Sequence, residues 1–339
     1  MDWIKNIGPT KFKGQIDISW IDYIISRINQ LKSTMHNFFL IRKAYVNYVT
    51  VVRAIRKNQY PIEALLRGNH ESPNCGRVCA SNLKDVLILA HLESHKGLSY
   101  DPASGLLTIN FDHISAGSFH HGNKENKVIL YGCGNNGDII SVFIEDEYRF
   151  LPVEGKTVID VGANIADSTI YFCLKGATRV IGLEPFPYTY AIAKKNIESN
   201  NLSTKVSLLL AALGPSIESI SITPEFTSNH ESQARDFGEG IKIPILTLDE
   251  IINRYNLSSQ PTVLKMDCEG CEYESVISAP LNVLRNFDHI QIEYHRGYKN
   301  LKEKLEKCGF KVLVKRPLAR RDNSNLYIGS LYAIRKKSI

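Results

Sequence analysis

The stretch from Thr157 to Pro185, TVIDVGANIADSTIYFCLKGATRVIGLEP, constrains the fold of this chain more than any other. Thr157 to Val161 is a β-branched, apolar run carrying Asp160, the pattern of a short buried strand. A turn with Gly162, Ala163 and Asn164 follows. Ala166 to Lys175 then supplies Ile170, Phe172, Cys173 and Leu174 to a helical segment that stops at Gly176. Arg179 to Leu183 is a second strand, with Glu184 at its end. Parallel strands joined through a helix cross over right-handed, which puts both carboxyl ends on one edge of the sheet. Ligands of open α/β sheets bind at that edge.

Charge narrows the ligand. A dinucleotide fingerprint, G-x-G-x-x-G, uses three glycines so that backbone and helix N-terminus can approach a pyrophosphate. Only Gly162 is present here, with Asn164 and Ala166 near the other glycine positions. Asp160 and Asp167 flank the turn and would repel a pyrophosphate. A nucleoside with a cationic centre and no phosphate suits these residues better, and S-adenosylmethionine has that chemistry. Glu184, about twenty residues beyond the turn, is placed to accept hydrogen bonds from both ribose hydroxyls. The plain alternative is a Rossmann-like unit with an ordinary turn and no nucleoside.

The segments IDVGANIADST, GLEPFP, KKNIESNN, TLDEI and LKMDCEGCEYE follow one another in that order. Together they resemble the FkbM-type family of S-adenosylmethionine-dependent methyltransferases, from about Leu151 to the C-terminus. The chain departs from the family at Ala166, where glycine is usual; a backbone with positive φ there would cost alanine about 1 kcal/mol. The resemblance implies an α/β fold: a Rossmann-like, seven-stranded class I methyltransferase sheet, mostly parallel with a terminal antiparallel hairpin. The expected organisation is a helical N-terminal region over 1–97, a β-rich linking segment over 98–150 and the methyltransferase domain over 151–339. On this reading Gly162, Ala163 and Asn164 line the cofactor turn, and Asp160 lies beneath the methionine amino group. Glu184 binds ribose, Phe186 offers adenine an apolar wall, and Ala211 and Ala212 pack on its other side.

Methyl transfer from a sulfonium is an in-line displacement in which orientation can supply roughly 7–11 kcal/mol. A hydroxyl acceptor must also lose a proton, so a base or a metal should stand at the carboxyl edge. The sequence sets Asp267, Glu269 and Glu272 after the fourth predicted strand, and Glu293 and His295 at the end of the fifth. Asp267 and Glu269, with Gly270, match the family's D-x-E-G signature and are expected as active-site carboxylates, with His295 as the base. No metal is expected, although a divalent ion on these oxygens and His295 is an open alternative. Helix-capping carboxylates and a packed histidine are the structural alternative. Cys268 and Cys271 lack a second pair spaced for zinc, so they read as ordinary thiols, as do Cys75 and Cys79.

Elsewhere the signals are weaker. Residues 18 to about 58 carry two apolar stripes at helical spacing, one from Trp20 to Leu31 and one from Phe38 to Val52. Pro61 opens a further short helical piece, and Leu83 to Leu92 another. Leu106 to Phe111, Lys127 to Tyr131 and Asp138 to Phe143 read as β-runs. A literal G-x-G-x-x-G from Gly132 to Gly137 lies between the last two and reads as a hairpin turn, since the sequence after it alternates like a strand. His120 and His121 read as an exposed pair, and the polar stretch Thr223 to Gly240 as an excursion over the active edge.

Charge is divided along the chain. Residues 1–100 hold 14 Lys+Arg against 7 Asp+Glu, residues 101–295 hold 14 against 25, and residues 296–339 hold 13 against 3. Basic ends around an acidic middle suit an anionic partner such as a phosphate-linked acceptor, or are simply solvated faces. No run of about eighteen apolar residues suggests a transmembrane segment. The first residues lack the pattern of a secretory leader, and seven scattered cysteines suit a reducing compartment, so the expected location is the cytoplasm. The leading function is O-methylation of a hydroxyl on a small molecule or glycan, phosphate-linked acceptors included. An RNA methyltransferase and a non-catalytic binding protein are the alternatives. Enzymes that methylate exocyclic nitrogens usually carry an N/D-P-P-Y/F motif after the fourth strand, which Lys265-Met-Asp-Cys-Glu-Gly does not match.

Overall fold

A computed structural model describes residues 20–67, 77–80, 83–94, 97–101, 106–113, 126–132, 139–224, 234, 236–315, 318–319 and 327–336. Its centre is a sheet of seven strands: β1 (Thr157–Val161), β2 (Arg179–Leu183), β3 (Val206–Leu209), β4 (Thr262–Met266), β5 (Phe287–Tyr294), β6 (Phe310–Val314) and β7 (Tyr327–Arg335). Their spatial order is β6-β7-β5-β4-β1-β2-β3. The first five strands are parallel, and β7 runs antiparallel between β5 and β6. This is the class I methyltransferase sheet, with the expected terminal hairpin. The helices that accompany it include α1 (Asp167–Leu174), α2 (Pro187–Ser199), α3 (Leu248–Arg254), α4 (Cys271–Ser278) and α5 (Lys299–Lys307).

β1 and β4 are buried at every position, which is why their sequences read as continuous runs instead of alternating. The chain order turns from β1–β2–β3 on one side to β4–β5 on the other, so the crevice at the tips of β1 and β4 is the switch point where such sheets take ligands. Thr247 caps α3 by accepting from the Glu250 N–H at 3.1 Å. The asparagines of KKNIESNN also have a physical task. Asn196 and Asn200, both buried on or beside α2, bond the backbone of Ile129 and Tyr131 and satisfy the edge of the preceding strand.

The strand Lys127–Leu130 pairs with Leu106–Asn110, and that with Leu98–Asp101, in an antiparallel sheet. Leu107, Val128 and Leu130 share one core with Val158, Ile170 and Phe172, so this segment packs on one face of the main sheet. The expected strand from Asp138 to Phe143 is corrected. Ile140–Ile144 is a single π-helical turn closed by Glu145 N–H on the Ile140 carbonyl at 2.9 Å. Ile139, Ile140, Val142 and Phe143 are all buried, and packing on more than one side overrides their β propensity. Residues 133–138, within the G-x-G-x-x-G turn, and His120 and His121 lie outside the described residues.

Toward the N-terminus, helices Trp20–Ala44, Tyr48–Arg56 and Leu83–Ser94 match the expected helix-rich region. The helical piece after Pro61 is corrected: Ile62–Leu65 is a strand, paired antiparallel with Arg77–Ala80. Its residues alternate between buried and exposed, a period of two that four helix-tolerant residues did not reveal. A second unforeseen sheet joins Glu218–Ile222, Ile241–Leu246 and Ala212–Leu213 beside the crevice. Among the described residues no helix is long and apolar enough to cross a membrane.

Candidate functional site

The turn after β1 is tightly specified. Gly162 has φ 75°, and a Cβ there would lie 1.8 Å from the Asp267 carbonyl oxygen at the tip of β4. Only glycine lets these two strand ends approach so closely. Asn164 and Ala166 also have positive φ, 47° and 69°. Ala166 therefore occupies the backbone conformation in which the family's usual glycine costs least.

Gly162 opens onto a crevice lined by Asn164, Glu184, Phe186, Ala211 and Ala212, and at its other end by Tyr148, Lys265, Asp267 and Glu269. Six of the eight sequence-predicted cofactor residues thus meet in one cavity. Ala163 does not line it: it is fully buried and its N–H bonds the Leu183 carbonyl. Asp160 does not line it either, and its carboxylate is turned to groups of the protein. One Asp160 oxygen accepts from Ser168 Oγ at 2.8 Å and Thr169 Oγ1 at 2.6 Å, while the other faces Lys265 Nζ at 3.1 Å. Lys265 also donates to the carbonyls of Gly162 at 2.9 Å and Val161 at 3.3 Å. Burial opposes its charge, but Asp160 and Asp267 outweigh that and hold its pKa above the ordinary lysine value. Sequence reading passed over Lys265. A lysine inside the otherwise apolar run VLKM was the available signal, because a buried cation requires a buried partner.

Glu184 is buried at the tip of β2, with Oε2 accepting from Asn164 N–H and Oε1 from Phe186 N–H, both at 3.0 Å. Burial pushes this carboxyl up to about 8, against the pull of those two backbone donors and of Lys265. A carboxylate has about four acceptor positions, and two are filled here. The remaining pair, facing an apolar wall of Phe186, Ala211 and Ala212, fits a vicinal diol attached to a flat base.

At the opposite end, the carboxylates converge on His295. Its Nε2 lies 3.2 Å from Glu269 Oε2 and 3.8 Å from Asp267 Oδ1, and its Nδ1 lies 3.0 Å from Glu272 Oε1. Burial disfavours the imidazolium, yet hydrogen bonds to Glu269 and Glu272 prevail and raise its pKa to about 11. His295 therefore keeps its proton at neutral pH. His295 itself does not line the crevice. Asp267, Glu293 and His295 bring donor atoms within 4.8 Å of one another. A metal binding there would have to displace the His295 proton.

Cys268 and Cys271 are not separate thiols: they form a disulfide across the turn between β4 and α4. Glu269 and Gly270 both have positive φ, and that tight bend folds the i and i+3 side chains toward each other. Cys79 is a free thiol, and Cys75 lies outside the described residues.

The class I sheet, its glycine turn and the acid beyond β2 make this a methyltransferase-type fold. Residues 160–312 match the methyltransferase FkbM domain. Solved structures similar to part of the chain include the precorrin-6y C5,15-methyltransferase of Geobacter metallireducens. It is 14% identical over 70% of this chain and 100% of that one, with a TM-score of 0.34. The magnesium protoporphyrin IX methyltransferase of Synechocystis, with bound S-adenosylmethionine, is 12% identical over 58% of this chain and 78% of that one, at a TM-score of 0.31. Trm5b of Pyrococcus abyssi is 13% identical over 58% and 48%, at 0.33. No curated protein matches the chain in sequence.

Proposed function

We propose that this protein methylates a hydroxyl oxygen on a small molecule or glycan. The observation that carries this reading is the pair Asp267 and Glu269, which line the crevice just beyond β4, on the other side of β1 from Glu184. S-adenosylmethionine, when bound, supplies an electrophilic methyl group on a sulfonium. Glu184 would hold its ribose, Gly162 and Asn164 would border the nucleoside, and Phe186, Ala211 and Ala212 would wall the adenine. Asp160 would serve indirectly, by fixing Lys265 beneath the turn.

In this reading Asp267 takes the acceptor's hydroxyl proton as the oxygen loses it. Glu269 is partly engaged by the imidazolium of His295, 3.2 Å away, which leaves Asp267 the less committed carboxylate. His295 and the buried Glu272 then act as positioning residues for the carboxylate pair.

The test is incubation with methyl-labelled cofactor and fractionated cell extract, using wild type and Asp267→Asn. Label in a glycan or small-molecule fraction, reduced about 100-fold or more in kcat by the variant with cofactor affinity kept, supports the reading. Label entering RNA instead would favour the basic chain ends as the acceptor-binding feature and overturn it.

A further inference from the structure

We propose that Tyr148, which precedes the family domain in the chain, binds the carboxylate of the cofactor's methionine portion through its hydroxyl. This rests on the cofactor reading above and assigns the end of the crevice that reading leaves open.

Tyr148 lies between the π-turn and β1, in a turn closed by Leu151 N–H on its carbonyl at 2.9 Å. Its ring is wedged against Tyr171 and Phe172, with centroids 6.0 and 5.3 Å away. The side chain is 8% exposed and borders the crevice. Among the described residues nothing hydrogen-bonds its hydroxyl. Packing fixes the ring at the border of the crevice, where the hydroxyl has a proton to give to a ligand. Burial and the charges of Glu147, Asp267, Asp160 and Glu293 hold the phenol well above its usual pKa, so the hydroxyl keeps its proton to donate.

Which ligand group it meets follows from the other donors. Tyr148 stands at the Asp267 end, its ring centroid 5.8 Å from Lys265 Nζ. Lys265 already spends its protons on Asp160 and two carbonyls, and Ser168 donates to Asp160. The N–H groups of Gly162, Ala163 and Ala166 are spent on carbonyls. A zwitterionic amino-acid tail entering here would find an acid for its ammonium in Glu269. Its carboxylate would find a cation beneath it, in Lys265, and one uncommitted side-chain hydroxyl beside that cation.

The experiment is a calorimetric cycle with two ligands, S-adenosylhomocysteine and its decarboxylated analogue, on wild type, Tyr148→Phe and Glu184→Gln. Wild type should prefer the carboxylated ligand about tenfold or more, the worth of a hydrogen bond to a charged group. Tyr148→Phe should reduce that preference to about twofold or less while binding the decarboxylated analogue as wild type does. Glu184→Gln should weaken both ligands alike. An undiminished preference in Tyr148→Phe overturns the assignment, whereas full binding of both ligands by Glu184→Gln overturns the nucleoside reading instead. Because the hydroxyl has no partner in the protein, Tyr148→Phe should match wild type in thermal unfolding. A marked loss of stability would mean the hydroxyl is structural and would also overturn the proposal.

Discussion

Lys265 and Asp160 stand side by side in register on neighbouring parallel strands, and their charged groups meet 3.1 Å apart beneath the glycine turn. Asp160 is fully buried and Lys265 nearly so. The pair therefore links β1 and β4 at the point where the crevice opens, and Lys265 carries the link onward to the carbonyls of Val161 and Gly162. An acid in the first strand's motif is thus held by a cation in the fourth strand's motif, a hundred residues later in sequence.

Breaking this pair on one side leaves a buried charge without compensation. Lys265→Met should cost about 3–5 kcal/mol in urea unfolding. Lys265→Met combined with Asp160→Asn should recover part of that loss, since the stranded carboxylate is gone. A double variant no more stable than the single one would show that the pair is not what matters there.

Ala166 offers a change of opposite sign. Its φ of 69° is unfavourable for any residue with a Cβ. Ala166→Gly should stabilise the protein by about 1 kcal/mol, read as an increase in the urea midpoint at unchanged slope. A β-branched residue in its place, Ala166→Val, should destabilise it by more than glycine stabilises.

Legibility followed burial and distance along the chain. The β1-turn-α1-β2 unit was readable because its apolar runs, its glycine and the acid after β2 lie within thirty residues, each with one local physical meaning. What escaped depended on partners far away. Nothing near Asp160 in the sequence shows that Lys265 stands opposite it. Nothing near His295 shows Glu269 and Glu272 on its two nitrogens. The turn around Ile140 reads as a strand, since β-branched residues buried on several sides give no periodicity to distinguish the two. Tyr148 gave no signal at all: one aromatic residue in a polar stretch acquires meaning only when the segment folds back over the crevice.

Glu184 makes cofactor affinity depend on pH. In the free protein burial raises its carboxyl to about 8, and ribose hydroxyls donating to it would favour the ionised form. Binding below that pH must therefore expel a proton. Affinity for S-adenosylhomocysteine should rise toward tenfold per unit between about pH 6 and 8, then level off. Calorimetry in buffers of different ionisation enthalpy should show proton release at pH 7 that Glu184→Gln abolishes. Affinity independent of pH in wild type would exclude Glu184 from the ribose contact.

His295 gives stability its own pH signature, with the sign set by a raised pKa. Folding lifts the imidazole from its ordinary 6.5 to about 11, chiefly because hydrogen bonds to Glu269 and Glu272 overcome its burial. The folded state thus holds the proton more tightly than the unfolded chain. The resulting stabilisation is complete below about pH 6.5 and disappears as pH climbs toward 11. Glu184 also has a raised pKa, so its similar contribution fades between its ordinary 4.5 and about 8. Above about pH 8 buried cysteines and tyrosines with raised pKa add slope of their own, so the share of His295 is read as a difference between wild type and a variant that lacks it. His295→Asn should be less stable than wild type at pH 7 by about 3–5 kcal/mol, because the wholly buried Glu272 loses its cation. That difference should shrink steadily as unfolding is repeated from about pH 8 to 10.5, since wild type then loses the proton that the variant never had. A gap between the two proteins that stays constant across this range would show His295 to be neutral in the fold, as a general base must be.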